Sequence, residues 1–549
     1  LLLTLHHMVV DGVSWRILLQ DMATAYEQLQ QQDDIQLLPK TSSFQQWGQY
    51  LLEYANSSAF QVEKAYWLAQ FENQVSALPV DYDAINDNRI LDSKTISFQL
   101  NEIKTKALLN DCASVYRTQI NDLLLSALYL ALNEWTSERA FRIDLESHGR
   151  EELSNTLDLT QTVGWFTSVY PVTLRLAENA SLADVIKTVK EQLRAIPQNG
   201  LGYGIMQQML SDCAANDSET TSPAELLFNY LGQFDQVANK DSIFQEAHES
   251  VGEDVSVQRQ RSHQLEINGR VTGGQLSISL RFNGLQYKQE TMESLIQGIE
   301  LALNQVIDHC QSLEAGGITP SDFPLCRADQ AQLDEWYQIY PNLEKIYPTT
   351  GMQRGLLFHS GLDHSAYLTQ LSVELEGPLN TTAMQQAWNQ VVSRHDVFRT
   401  AFSDDHSHQI VLSKVDLPFA IMDWSEMAEL ELQQRFARFL SEDREQGFDF
   451  KQVPLMRVAL IALSDQRHRL VWTNHHALSD GWSLPLVLKD VMFFYKEACS
   501  DSTAQAIDDV PVSTLPEVQA YEHYIDWLQA QDVETVSYTH LRAHETLPY

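Results

Sequence analysis

The heptapeptide pattern His-His-x-x-x-Asp-Gly occurs twice, as His6-His7-Met8-Val9-Val10-Asp11-Gly12 and as His475-His476-Ala477-Leu478-Ser479-Asp480-Gly481. Each copy follows an apolar, strand-like run (Leu1 to Leu5; Leu470 to Trp472) and precedes an apolar stretch of helical character (Val13 to Leu19; Leu484 to Phe494). A context that repeats along with the letters points to two related halves, each with an equivalent site where a strand passes into a helix. Successive side chains of an extended strand point to opposite faces, so one histidine of each pair is expected to do chemistry while the other packs. A metal centre is disfavoured, because it wants three or four converging ligands and no Cys or Glu stands at ligand spacing. The closing Asp-Gly suits a tight turn into a helix. There Asp11 or Asp480 can cap amide donors or pair with an arginine, with Gly12 and Gly481 easing the turn.

At 549 residues and 44% hydrophobic content, the chain can build two or three domains with sizeable cores. Its formal net charge of −37 argues against nucleic acid or an anionic membrane as a partner. The cysteines, at 112, 213, 310, 326 and 499, form no Cys-x-x-Cys, so a reducing cytosol is expected. No apolar run approaches a membrane span and no charged leader precedes an apolar N-terminal core, so a soluble, cytoplasmic protein is expected.

Periodicity predicts a mixed α/β chain. Helices are expected at 13–30, 44–54, 62–71, 123–135, 182–196, 289–309, 383–392 and 430–440, with Asn121 and Asp122 capping the fourth of these. Strands are expected at 96–100, 141–145, 169–176, 226–231, 275–282, 367–375 and 456–463. Breakers at Gly316-Gly317 and Thr319-Pro320-Ser321-Asp322 mark a linker over roughly 311–345. The segment Asp144-Leu145-Glu146-Ser147-His148-Gly149-Arg150-Glu151 follows a predicted strand. Taken alone it reads as a solvated charge cluster or as a loop facing a cavity.

On these residues the chain resembles the condensation-domain superfamily of nonribosomal peptide synthetases. The first part resembles an epimerization domain through HHMVVDGVSW, KTSSFQQW, NDLLLSAL, DLESHGRE, TVGWFTSVYPV, GLGYG and FNYLGQFD. The second resembles a condensation domain through IYPTTGMQRGLLFH, SRHDVFRTAF and NHHALSDGWS. The resemblance implies chloramphenicol-acetyltransferase-like α/β sandwich lobes, as two related domains in tandem, both truncated. Residues 1–315 would be an epimerization domain without its N-terminal lobe, 316–345 a linker, and 346–535 the N-terminal lobe of a condensation domain. The stretch 536–549 departs from the family pattern and is expected to be a non-native tail. One departure falls at the site: the family's Glu-Gly-His-Gly-Arg reads Glu146-Ser147-His148-Gly149-Arg150.

The resemblance also implies roles. In epimerization domains the glutamate matching Glu146 partners the second histidine, here His7. Inverting a Cα requires a proton taken from one face and another delivered to the opposite face, which two groups across a tunnel can do. Asn229, Tyr230, Arg150 and Asp21 are implied as supporting residues, with His6 and His475 beside the reacting histidines. In the second half His476 is expected either to act as a base or to position the attacking amine. Arg394 and His395 match a motif of structural character. No cofactor is expected to bind directly, because carrier domains supply the phosphopantetheine arm. The implied partners are upstream and downstream peptidyl carrier domains, adenylation domains, and aminoacyl or peptidyl thioesters, in the assembly of a peptide antibiotic or siderophore. The implied reaction is epimerization followed by condensation of a D-donor with an L-acceptor. The isolated fragment is expected to be inactive. A free acyltransferase using coenzyme A thioesters shares His-x-x-x-Asp-Gly but leaves the tandem arrangement unexplained. A catalytically silent carrier-docking fragment is the remaining alternative.

Overall fold

The computed structural model describes residues 2–72, 75–82, 88–151, 157–213, 224–233, 252, 255–501 and 515–531. The chain divides into two compact units, 1–318 and 319–549. The expected tail 536–549 lies outside the described residues. Among the described residues no helix is long and apolar enough to cross a membrane.

The first unit is built on six strands, and the alternating burial along 140–147, 265–272 and 275–283 leaves one sheet face covered and the other polar. They are β1 (Ser93–Gln99), β2 (Ala140–Ser147), β3 (Ser168–Arg175), β4 (Leu226–Gln233), β5 (Leu265–Thr272) and β6 (Gln275–Asn283), in the order β1-β6-β5-β4-β2-β3. The β2–β4 and β4–β5 pairs are parallel and the others antiparallel. Ile143, Leu145, Phe228, Ile267, Ile278 and Leu280 point into the core. That core also holds buried residues of α6 (Ile120–Thr136), α7 (Leu182–Arg194) and α9 (Gln289–Cys310). Further helices are α1 (Gly12–Gln30), α2 (Phe44–Ala55), α3 (Ser58–Glu72) and α8 (Leu201–Cys213), with short turns α4 (Glu102–Lys106) and α5 (Cys112–Val115). The opposite face carries a transverse polar row, in which Asn229 pairs with Asn268, Asn268 with Ser279, and Ser279 with Ser97. Leu145 pairs with Phe228 in the parallel β2–β4 ladder, which sets Glu146 beside Asn229 at the end of that row.

The second unit holds a sheet of β11 (Phe419–Asp423), β12 (Met456–Ser464), β13 (Arg467–His475) and β8 (Leu368–Glu376), in that order. A smaller sheet runs β7 (Leu343–Pro348), β10 (His408–Leu412), β9 (Thr400–Phe402). The helices are α10 (Gln330–Ile339), α11 (Gly351–Leu362), α12 (Thr381–Arg394), α13 (Glu429–Gln446), α14 (Ser483–Asp501) and α15 (Tyr521–Gln529). Trp388 of α12 and Trp472 of β13 meet at the centre of the core, with ring centroids 5.3 Å apart.

The structure departs from several expectations. In place of a strand over Leu1 to Leu5, Leu2, Leu3 and Leu5 are exposed and unpaired in any sheet, and His7–Val9 form a 3-10 turn. An extended apolar run becomes a strand only where a neighbour takes its ladder bonds, and none of the described strands does. Helix α6 begins earlier than its apolar pattern predicts. Its N-cap is Gln119 rather than Asn121, and Asp122 closes the cap from inside by accepting the Gln119 amide at 2.7 Å. Strand β5 has no counterpart among the predicted elements. Gly269 interrupts its pattern, yet a Cβ there would lie 3.1 Å from Ile278 and 3.3 Å from Tyr230, so the glycine admits close packing. The stretch 311–345 is more than a string of breakers: Asp329 caps α10, whose Leu333 is fully buried, and β7 pairs with β10.

Asp122 is 1% exposed and carries both the α6 cap and an ion pair with Arg194 at 2.7 Å. Replacing it with alanine removes a cap and strands a guanidinium. The expected cost is about 2–4 kcal/mol of unfolding free energy, read by denaturant titration against Arg194→Met.

Candidate active sites

In both repeats the second histidine is held in one tautomer. His7 Nδ1 lies 2.8 Å from the Val10 carbonyl and His476 Nδ1 lies 2.7 Å from the Ser479 carbonyl. A carbonyl only accepts, so Nδ1 carries the proton in each case and Nε2 is left with a free lone pair. The first histidines also correspond, because His6 Nδ1 accepts the Met8 amide at 3.2 Å and His475 Nδ1 accepts the Ala477 amide at 3.1 Å. Their surroundings differ. His475 ends β13, is 1% exposed, reaches the Ser360 hydroxyl through Nε2 at 2.9 Å, and meets the Phe450 ring edge-on. His6 is exposed and only caps the turn. The expected division into a packing and a projecting histidine therefore describes the second copy alone.

The aspartates cap alike and are anchored differently. Asp11 accepts the Ser14 amide at 2.7 Å and Asp480 the Ser483 amide at 2.9 Å, in each case three residues on. Asp11 is 3% exposed and also takes the Phe166 amide and the Arg150 guanidinium, both at 3.1 Å. Burial works to raise its pKa, but the Ser14 amide and hydroxyl, Arg150 and the Phe166 amide outweigh it and hold the carboxyl below the usual range. Asp480 is exposed and, among the described residues, bonds only its own turn. Gly12 and Gly481 have no positive φ, and a Cβ on either would meet open space. Neither turn therefore requires glycine for backbone reasons.

Arg150 is a structural clamp. Its Nη1 donates to the Leu159 and Thr162 carbonyls, its Nη2 to Asp11 and Ser14, and its guanidinium lies 4.0 Å from the Phe166 ring centroid. Gly149 makes this turn possible: its φ is +64°, and a Cβ would fall 1.7 Å from the Phe166 carbonyl oxygen. Ser147, the departure from the family pattern, turns its hydroxyl to Glu151 at 3.3 Å, on the face of β2 opposite Glu146.

Glu146 is half-buried and accepts a hydrogen bond from the Asn229 side chain. Burial raises its pKa, partly offset by the His7 charge, the Asn229 bond and the His263 charge. His7 and Glu146 thus share one electrostatic environment. His263 in turn meets Asp144, which lies two residues back on the same face of β2, at 2.8 Å. Tyr230 falls on the other face of β4 and packs against the core, and burial raises its pKa. Asp21 lies ten residues past the α1 cap, roughly 15 Å along the helix, and no described hydrogen bond joins it to His7 or Glu146. Of the four implied supporting residues, Asn229 touches Glu146, Arg150 acts through Asp11, and Tyr230 and Asp21 stand apart.

In the second unit Gln353 of α11 donates to the Ala477 carbonyl at 3.1 Å, and Ser360 of the same helix holds His475. Both lie in or next to the IYPTTGMQRGLLFH segment, but their roles arise from long-range contacts that carry no local sequence signal. Arg394 and His395 converge on the buried Asp490 of α14, at 3.1 and 2.9 Å.

Burial, and then the neighbouring His476 charge, push His475 down to about 4 from an ordinary 6.5. The unfolded chain then binds more protons between these values. Stability is complete above about pH 6.5 and falls toward pH 4, by on the order of 3 kcal/mol at ~1.4 kcal/mol per unit. Chemical denaturation of wild type and His475→Asn across this window should show the steeper fall in the wild type, since His408, also lowered by burial, contributes to both.

A model of the family described as Condensation domain matches residues 1–323 and 343–538. A linear gramicidin synthase chain of Brevibacillus parabrevis is 41% identical over 97% of this chain and 7% of its own length. A mycosubtilin synthase chain of Bacillus subtilis is 38% identical over 97% of this chain and 20% of its own. The chain therefore spans a fifth or less of these relatives. Among solved structures, the epimerization domain from the third module of tyrocidine synthetase B is 38% identical, with a TM-score of 0.52 over 56% of this chain and 68% of that one. The fold is the chloramphenicol-acetyltransferase-like α/β type. The chain belongs to the condensation-domain family of nonribosomal peptide synthetases.

Proposed function

We propose that the first unit inverts the Cα of an aminoacyl or peptidyl thioester carried on a phosphopantetheine arm, with His7 and Glu146 as the proton-handling pair. What supports this reading is that the His7 charge acts on Glu146, whose proton affinity burial raises, while the Val10 carbonyl fixes the tautomer that leaves Nε2 of neutral His7 with a free lone pair. The thioester makes the Cα–H acidic enough for a base near neutrality. One group takes the Cα proton, the electron pair moves onto the thioester oxygen as an enolate, and the other group returns a proton to the opposite face. Asn229 holds the carboxyl in place. Asp11 and Arg150 hold the loop that carries His7. No residue of this chain is assigned to the arm itself, which belongs to a carrier domain.

In the second unit His476 is assigned to amide formation between an upstream donor thioester and a downstream acceptor amine, as base or as a positioning group through Nε2. The assembly-line context makes carrier and adenylation domains the partners.

Replacing Glu146 with Gln or His7 with Asn in the full-length protein is expected to lower solvent-deuterium exchange at the Cα of a carrier-bound aminoacyl thioester at least ~100-fold, read by mass spectrometry. Undiminished exchange in both variants removes the pair from the mechanism.

The donor for His476 is expected to be the D-epimer, since epimerization upstream delivers both and discrimination must arise at the donor Cα. Loading the upstream carrier separately with D- and L-aminoacyl groups in a His7→Asn background, then comparing product yields, tests this. Preference for the L-donor refutes it.

A further inference from the structure

The loop TVGWFTS supplies a side chain that the proton-handling pair does not account for. Thr162, Gly164 and Phe166 are buried while Val163 and Trp165 between them are exposed, so the loop alternates as an extended segment with one face pinned. The pins are specific and come from the first turn of α1 and its clamp. Ser14 Oγ donates to the Gly164 carbonyl at 2.8 Å and accepts the Gly164 amide at 3.0 Å. Asp11 accepts the Phe166 amide at 3.1 Å, and Arg150 donates to the Thr162 carbonyl at 2.6 Å. Both neighbours of Trp165 are thereby tied to the residues that fix the His7 loop. Its indole is left 48% exposed, with its ring centroid 6.0 Å from that of His7 and the planes at 51°. A large aromatic ring whose chain neighbours are tied down gives up little side-chain freedom on binding, and here it offers an apolar surface beside the His7 ring.

We propose that Trp165 is a specificity-determining and positioning residue, whose indole packs against a large apolar or aromatic aminoacyl side chain and sets the Cα–H against His7. The inference rests on the epimerization reading and adds the substrate class that the site favours. An indole at this position gains contact with a phenylalanyl group and almost none with an alanyl group, so its removal is substrate-selective. A residue that merely supports His7 would lower turnover of every substrate alike.

The test compares phenylalanyl and alanyl thioesters on the same carrier in the full-length protein, following Cα–H exchange with solvent deuterium. Trp165→Ala is expected to reduce kcat/KM about tenfold for the phenylalanyl thioester and less than about twofold for the alanyl one, with Trp165→Phe recovering most of the loss. The thermal midpoint should stay within about 2 °C of wild type, since an exposed ring contributes little to folding. Equal losses on both substrates, or none, overturn the proposal. A parallel titration of α-methylphenylalanyl pantetheine amide, which has no Cα proton to exchange, reads binding alone by calorimetry. Weaker binding to Trp165→Ala supports the packing role even where the wild type exchanges nothing, an outcome that sinks the epimerization reading instead. Unchanged binding overturns the packing role.

Discussion

The first unit's site depends on one buried ion pair. Asp11 and Arg150 come from segments far apart in sequence, and their contact joins the start of α1, the turn after β2 and the Thr162–Phe166 loop in a single knot. A buried pair is worth having only if its remaining lone pairs and protons are satisfied, and here Ser14, Phe166, Leu159 and Thr162 supply nearly all of those partners. Removing either charge would leave the other stranded among backbone groups that can no longer be satisfied, so the loop bearing His7 would lose its register together with the loop bearing Trp165.

The second unit reaches a similar presentation of His476 by other means. There the preceding residue, His475, is the last of a central strand, and its imidazole is absorbed into the interior between Ser360 and Phe450. Among the described residues Asp480 meets no buried guanidinium and serves only its own turn. What the repeats share is the backbone path from His to Asp and the carbonyl that accepts Nδ1–H. The same seven-residue pattern is thus held by an ion pair in one place and by strand burial in the other.

Much of this is legible in the sequence, and the parts that are not have a common cause. Helices such as α7 and α9 announce themselves through apolar spacing, and β2, β3 and β6 through alternation, because these signals are local. The duplicated motif points to His7 and His476, and the Asp-Gly turn suits pairing of Asp11 with an arginine, but nothing local names Arg150 as that arginine rather than as a group facing substrate. The same holds for Tyr230: adjacent residues on a strand face opposite ways, and only the pairing of β4 with β2 decides that Asn229 meets Glu146 while Tyr230 joins the core. Leu1 to Leu5 fails as a strand for the complementary reason, since a strand is a relation between segments. Trp165 stands inside a recognisable motif, but its contact with His7 needs a third segment to become visible.

The bond from His7 Nδ1 to the Val10 carbonyl leaves that imidazole with a single exchangeable lone pair, so a proton gained on one face has no second nitrogen through which to leave. On the proposed epimerization reading, in which a proton leaves one side of Cα and another arrives on the opposite side, His7 and Glu146 would emerge from each turnover in a protonation state opposite to the one they entered with. That reading would entail two resting forms, each competent toward only one enantiomer, and the interval in which they interconvert would become a step of the cycle in its own right. The chain would in this sense keep a memory of the last isomer it released.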